Sequence, residues 1–104
     1  MKQLVAIVKP FRAEAVLNAL AEMQLEALTV SEAKGFGRQK SYLDRYGESE
    51  YSLAFLPKVR ICSWVPDDRA DEAIRKVVVA ARTGRIGDGK VFVLRLYCDG
   101  AIDV

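Results

Sequence analysis

The chain has 104 residues, of which 51% are hydrophobic and 29% charged, and a formal net charge of +2. That length accommodates one domain with one core, and the composition is that of a globular protein. Histidine is absent, acids and bases are interspersed and no apolar run is long enough to cross a bilayer, which sets aside histidine-based catalysis, histidine-ligated zinc, nucleic-acid readers with a basic stripe and transmembrane proteins.

Leu4-Val5-Ala6-Ile7-Val8 reads as a buried strand that ends at Lys9-Pro10, because proline lacks a donor and pushes its predecessor out of helical space. It follows Met1-Lys2-Gln3 without an apolar signal region, so a cytoplasmic location is expected. Residues 13–23 carry Val16, Leu17, Leu20 and Met23 at helical spacing. Residues 27–34 alternate, with Leu28 and Val30 on one face and Thr29 and Ser31 on the other. Gly35-Phe36-Gly37 then opens a polar, tyrosine-bearing stretch without helical or strand period. Order returns near Tyr51 and continues to Val65.

Asp67 and Asp68 are placed to cap a second helix, whose apolar stripe is Ala70, Ile74, Val77, Val78 and Ala81. Residues 83–90 form a loop with three glycines, and residues 91–97 a last strand. The order strand, helix, strand, long loop, strand, helix, strand predicts one α+β domain over residues 1–104, of the ferredoxin-like βαββαβ class. In the third strand Val59, Ile61 and Val65 share one side and Lys58, Cys62 and Trp64 the other. Two helices cover only one face of such a sheet, leaving Trp64, Phe92, Leu94 and Leu96 toward water. A homo-oligomer is expected to bury them.

Gly84-Arg85-Ile86-Gly87-Asp88-Gly89-Lys90 is a glycine-rich loop ending in lysine, able to turn successive amides and one cation toward an anion. It lacks Walker A spacing, and a plain helix-to-strand connection with Gly84 as cap accounts for it equally well. Gly35 to Lys40 combines two glycines, the cations Arg38 and Lys40, and Gln39, whose carbonyl suits a hard cation; a solvated loop stem is the competing account. Lys58, among apolar neighbours, either snorkels to the rim or binds an anion. No two acids form a recognisable general acid/base pair. Cys62 and Cys98 are far apart and read as reduced thiols. Tyr42, Tyr46 and Tyr51 suit partner recognition or modification as well as packing on the body.

Together, Val30-Ser31-Glu32, Lys34 to Lys40, Glu50-Tyr51, Phe55-Leu56-Pro57-Lys58-Val59 and Ala80 to Val93, with Lys9-Pro10-Phe11, closely resemble the PII family of nitrogen-regulatory proteins over residues 1–94. The resemblance implies a homotrimer of ferredoxin-like subunits with adenine-nucleotide sites in the clefts between them. It also implies a mobile T-loop, here residues 37–55, that docks on a transporter or metabolic enzyme. In that scheme Gly35, Phe36, Gly37, Arg38 and Gln39, with Gly87, Asp88, Gly89 and Lys90, hold the phosphates, and Arg82 and Thr83 contribute from the same loop. Ile7 and Thr29 flank the adenine, with Cys62 and Trp64 near the base. Gln39 helps hold Mg²⁺, and Gln39, Lys40 and Lys58 receive a small-anion effector. Tyr51 matches the tyrosine that is uridylylated in some bacterial relatives.

The chain also departs from the family pattern. Cys62 stands where members often carry an acid, and Trp64 where they carry a small aliphatic residue. Residues 42–47 differ within the T-loop. Beyond Leu94 the sequence Arg95 to Val104 lacks the family's Arg-x-Arg-Thr-Gly-like stretch. The expectation is therefore a specialised PII-like sensor of ADP, AMP or ATP, without tightly bound cofactor and with a small anion such as bicarbonate. The alternative is the typical sensor of Mg-ATP and 2-oxoglutarate. A nucleotide hydrolase or a purely structural trimer is disfavoured, since the first lacks a base and the second leaves both glycine-rich stretches without a role.

Overall fold

The computed structural model describes residues 1–35, 56–85, 88–97 and 102. Four strands, β1 (Lys2–Val8), β2 (Glu26–Gly35), β3 (Leu56–Val65) and β4 (Gly89–Arg95), form one sheet in the order β2-β3-β1-β4, with every neighbouring pair antiparallel. Helices α1 (Pro10–Ala21) and α2 (Ala70–Ala81) pack on one face. This is the ferredoxin-like arrangement expected from the element order. The core lies between sheet and helices: Leu4, Ala6 and Val8 of β1 and Ile61 and Val65 of β3 meet Val16, Leu20, Ala73 and Val77. Ser63 sits in the same layer, its Oγ buried with no hydrogen-bond partner.

Helix α1 begins three residues earlier than its apolar spacing suggests, at Pro10. The missing proline donor falls where a helix needs none, and the fixed φ suits the first turn. Beyond the helix, Gln24 and Ala27 have positive φ (54° and 53°), and the β2–β3 register shifts between Glu26 and Thr29. That bulge lets β2 enter the sheet with Leu28 turned toward the core.

Asp67 and Asp68 do not cap α2. They form a single 3-10 turn, Asp67–Arg69, without side-chain capping bonds, and the Asp67 carboxylate lies 2.9 Å from the Met1 amino nitrogen. The acids in the first turn of α2 are Asp71 and Glu72, which complement its positive end. Nor does Gly84 cap that helix, because extended backbone at Arg82 ends it first. Strand β4 begins two residues earlier than expected, because Gly89 pairs with Val8.

Arg12 fastens the helices together, with Nε and Nη2 donating to the Ala80 carbonyl at 2.9 and 2.6 Å. Arg69 Nη1 donates to the Met23 carbonyl at 2.7 Å. Truncating Arg12 to alanine strips charge-assisted bonds from a carbonyl in the last turn of α2. Urea unfolding is expected to show a loss of about 2 kcal/mol for Arg12→Ala, with less than half recovered by Arg12→Lys.

The sheet's other face carries no helix. Phe92 and Leu94 are 48% and 44% exposed there, as expected, whereas Trp64 and Leu96 are half-buried. Val93, on the opposite face, is also 42% exposed, so the edge strand β4 presents apolar side chains on both sides. Among the described residues no helix is long and apolar enough to cross a membrane.

Candidate functional site

At one end of the sheet β1 and β2 finish while β3 and β4 begin. Register places Gly35 opposite Leu56 and Ala33 opposite Lys58, and sets Val8 between Val59 and Gly89. One step further in, Ile7 lies between Arg60 and Lys90. Alternation puts these three side chains on the open face, in a row ending at Ser31. The next row is Thr29, Cys62, Val5 and Phe92, and the one after it includes Trp64, Gln3 and Leu94.

Asp88, just before β4, organises the loop. Its carboxylate accepts the Thr83 amide at 2.6 Å, the Gly84 amide at 3.0 Å and the Arg85 amide at 3.3 Å, together with the Thr83 hydroxyl. Lys9 Nζ lies 3.4 Å from the same group. Desolvation alone would raise the Asp88 pKa, but the Thr83 bonds, Lys9 and the Gly84 amide hold it well below the usual carboxylate range. The amides of residues 83–85 thus converge on an internal anion, and Thr83 shapes the loop.

Gly89 has φ +151°, and a Cβ built on it would stand 2.3 Å from the Ile7 carbonyl oxygen. Only glycine lets β4 approach β1 this closely. Beside this junction a depression is lined by Val8, Ala81, Arg82, Asp88, Gly89 and Lys90, among others. A second is lined by Pro10, Glu32, Ala33, Pro57, Lys58 and Val59.

Lys58 is only 7% exposed. Burial lowers its pKa, Lys9 lowers it further and Asp88 opposes them. Lys9, Lys58, Arg60, Arg82 and Lys90 therefore gather cations at one end of the molecule, with the Asp88 charge engaged by the loop. Such a cluster attracts anions. Among the described residues no group of acids and cysteines is arranged to hold a metal ion.

Of the residues singled out in the sequence, Ile7, Gly35, Lys58, Arg82, Thr83, Asp88, Gly89 and Lys90 come to this end of the sheet. Thr29 and Cys62 face each other one row away, where Cys62 is a buried, free thiol. Trp64 shares their face but lies four residues along β3 from Arg60, about 13 Å away. Phe36, Gly37, Arg38, Gln39, Lys40, Tyr51, Gly87 and Cys98 fall outside the described residues. Lys9 and Arg60 were missed as site residues. Arg60 was legible, since strand alternation puts it on the face of Lys58 and Cys62. Lys9 was quoted at the end of a strand and within the PII-like Lys9-Pro10-Phe11 without a site role, and its ion pair with Asp88 spans 79 positions, beyond the reach of local spacing.

The family model described as "Nitrogen regulatory protein P-II" matches residues 1–97. The chain belongs to the PII family. It is 51% identical over 96 residues to nitrogen regulatory protein GlnK of Escherichia coli, covering 92% of this chain and 86% of that protein. It is 50% identical over 93 residues to nitrogen regulatory protein P-II 1 of Escherichia coli and of Salmonella typhimurium, covering 89% of this chain and 83% of each relative. The PII match extends to Tyr97, into the segment whose sequence departs from the family pattern. As a PII protein the chain is a nitrogen-regulatory signal transducer and not an enzyme.

Proposed function

We propose that this PII protein binds ADP, AMP or ATP where protomers of a homotrimer meet, and that the bound nucleotide sets how residues 37–55 engage a protein partner in the cytoplasm. The observation that carries this reading is the junction of Ile7, Gly89 and Lys90 beside Arg82, Lys9 and Lys58. There a glycine-thinned backbone and several cations converge. The apolar side chains on both sides of β4 support self-association, because a lone edge strand of this kind invites pairing. A small anion, bicarbonate or 2-oxoglutarate, is the second ligand, received by Lys58 with Gln39 and Lys40. Mg²⁺ would accompany ATP through Gln39. The partner is a membrane transporter or a metabolic enzyme, and Tyr51 is a modification site.

Titration calorimetry with ADP, AMP and ATP, each with and without 2-oxoglutarate or bicarbonate, tests the reading. Removing one phosphate contact of about 1.5–3 kcal/mol with Lys90→Ala should weaken nucleotide binding roughly tenfold to a hundredfold. Absence of binding for all three nucleotides, or a monomer in sedimentation equilibrium, refutes it. Strong Mg-ATP-dependent 2-oxoglutarate binding would instead select the typical PII sensor over the specialised one.

A further inference from the structure

We propose that the groove between α2 and the outer flank of β4 is a binding site for a small aliphatic carboxylate, whose head group meets Arg82. β4 is an edge strand paired to β1 alone, so its outer flank lies open beside α2. Ile74 and Val78 stand one turn apart on α2, and alternation turns Val91 and Val93 toward the same helix. With the buried Val8 and Ala81 they line a cavity of about 360 Å³, the size of a small-molecule site. Val93 is 42% exposed, so solvent reaches this concave apolar surface.

Charge stands at one end of the groove only. Arg82 follows Val78 by four residues, where extended backbone ends α2, and its exposed side chain forms no ion pair among the described residues. Its guanidinium fork matches a single carboxylate. Asp88 and Lys90 share this rim. Asp88 repels an anion, but its carboxylate already accepts from Thr83, Gly84 and Arg85 and lies beside Lys9. The carbonyl end of α2 also disfavours an anion, and Arg12 offsets this by donating to the Ala80 carbonyl. An apolar strip with a cation at one end complements an acid with a short hydrocarbon chain. Its occupation ties the end of α2 to the start of β4, and so holds both ends of the glycine loop.

The apolar body of this site lies on the opposite face of the sheet from Ile7, and its test uses the nucleotide-free full chain. Protein with carbon-13 methyl groups on isoleucine and valine is titrated with acetate, butyrate, 4-methylpentanoate and 4-methylpentanol, and methyl NMR is recorded. The expected result is saturable shifts of the Ile74, Val78, Val91 and Val93 methyls with 4-methylpentanoate. Affinity should rise about fourfold for each methylene added from acetate upward. The alcohol, which keeps the chain and lacks the charge, should bind about tenfold more weakly than the acid. Arg82→Gln should bring acid and alcohol to the same affinity. Equal affinity for acetate and 4-methylpentanoate means attraction by charge alone and overturns the proposal. Shifts that do not saturate, or that centre on Ile7, overturn it as well. Should Arg82→Gln fail to fold, the chain-length series and the acid–alcohol pair decide on the parent chain.

Discussion

Gly89→Ala is expected to open the β1–β4 edge at its Ile7–Lys90 end and to remove the anion binding proposed there. The added Cβ would meet the Ile7 carbonyl oxygen at 2.3 Å and Ile7 C and Val8 Cα at 3.3 Å. All three are backbone atoms, so no side-chain rotation relieves the contact. The positive φ adds strain for an L side chain. Strand separation is the remaining escape, and it moves Lys90 away from Ile7. A loss of about 3 kcal/mol is expected, or roughly 10–20 °C in melting temperature. Amide exchange should accelerate at Val8 and Lys90 before it does in the centre of β3. A variant that melts within a few degrees of the parent and retains nucleotide binding would refute the argument.

The second large effect is at Asp88, where two carboxylate oxygens accept from loop donors and Lys9 adds its charge. Asparagine nearly matches the shape but places an NH₂ where one oxygen stood, setting donor against donor. Asp88→Asn is expected to cost about 2 kcal/mol and to loosen residues 83–89. The pH dependence follows from the depressed pKa. The unfolded carboxyl titrates near 3.8 and the folded one lower, so its contribution is complete above the unfolded value and disappears as pH falls through the folded one. The stability difference between parent and Asp88→Asn should therefore be constant from pH 5 to 7 and shrink on acidification below about pH 4. Urea unfolding at several pH values reads this directly, and a difference that widens in acid would be incompatible with it.

The element order and the sheet faces were legible because strand and helix periods differ and one face had to be apolar. Val59, Ile61 and Val65 lie on the helix side, and Lys58, Cys62 and Trp64 on the other, as alternation predicts. Element ends were less legible. Pro10 suits both a strand end and a first helical turn, while Asp67 suits both a cap and an ion pair. The glycine loop was visible as a possible anion cradle, but its internal anion was not. Only folding shows that the Asp88 carboxylate accepts the Thr83, Gly84 and Arg85 amides and meets Lys9. Spacing alone left the role of that loop open, and the phosphate-holding role proposed for it rests on the resemblance to PII proteins.

The two arginine contacts between the helices form a reciprocal clasp. Arg12, at the start of one helix, grips the finish of the other, while Arg69, at the threshold of that second helix, grips the turn beyond the first. Sliding either rod along its axis would break a bond at each extremity. The clasp therefore opposes sliding of the two helices past one another.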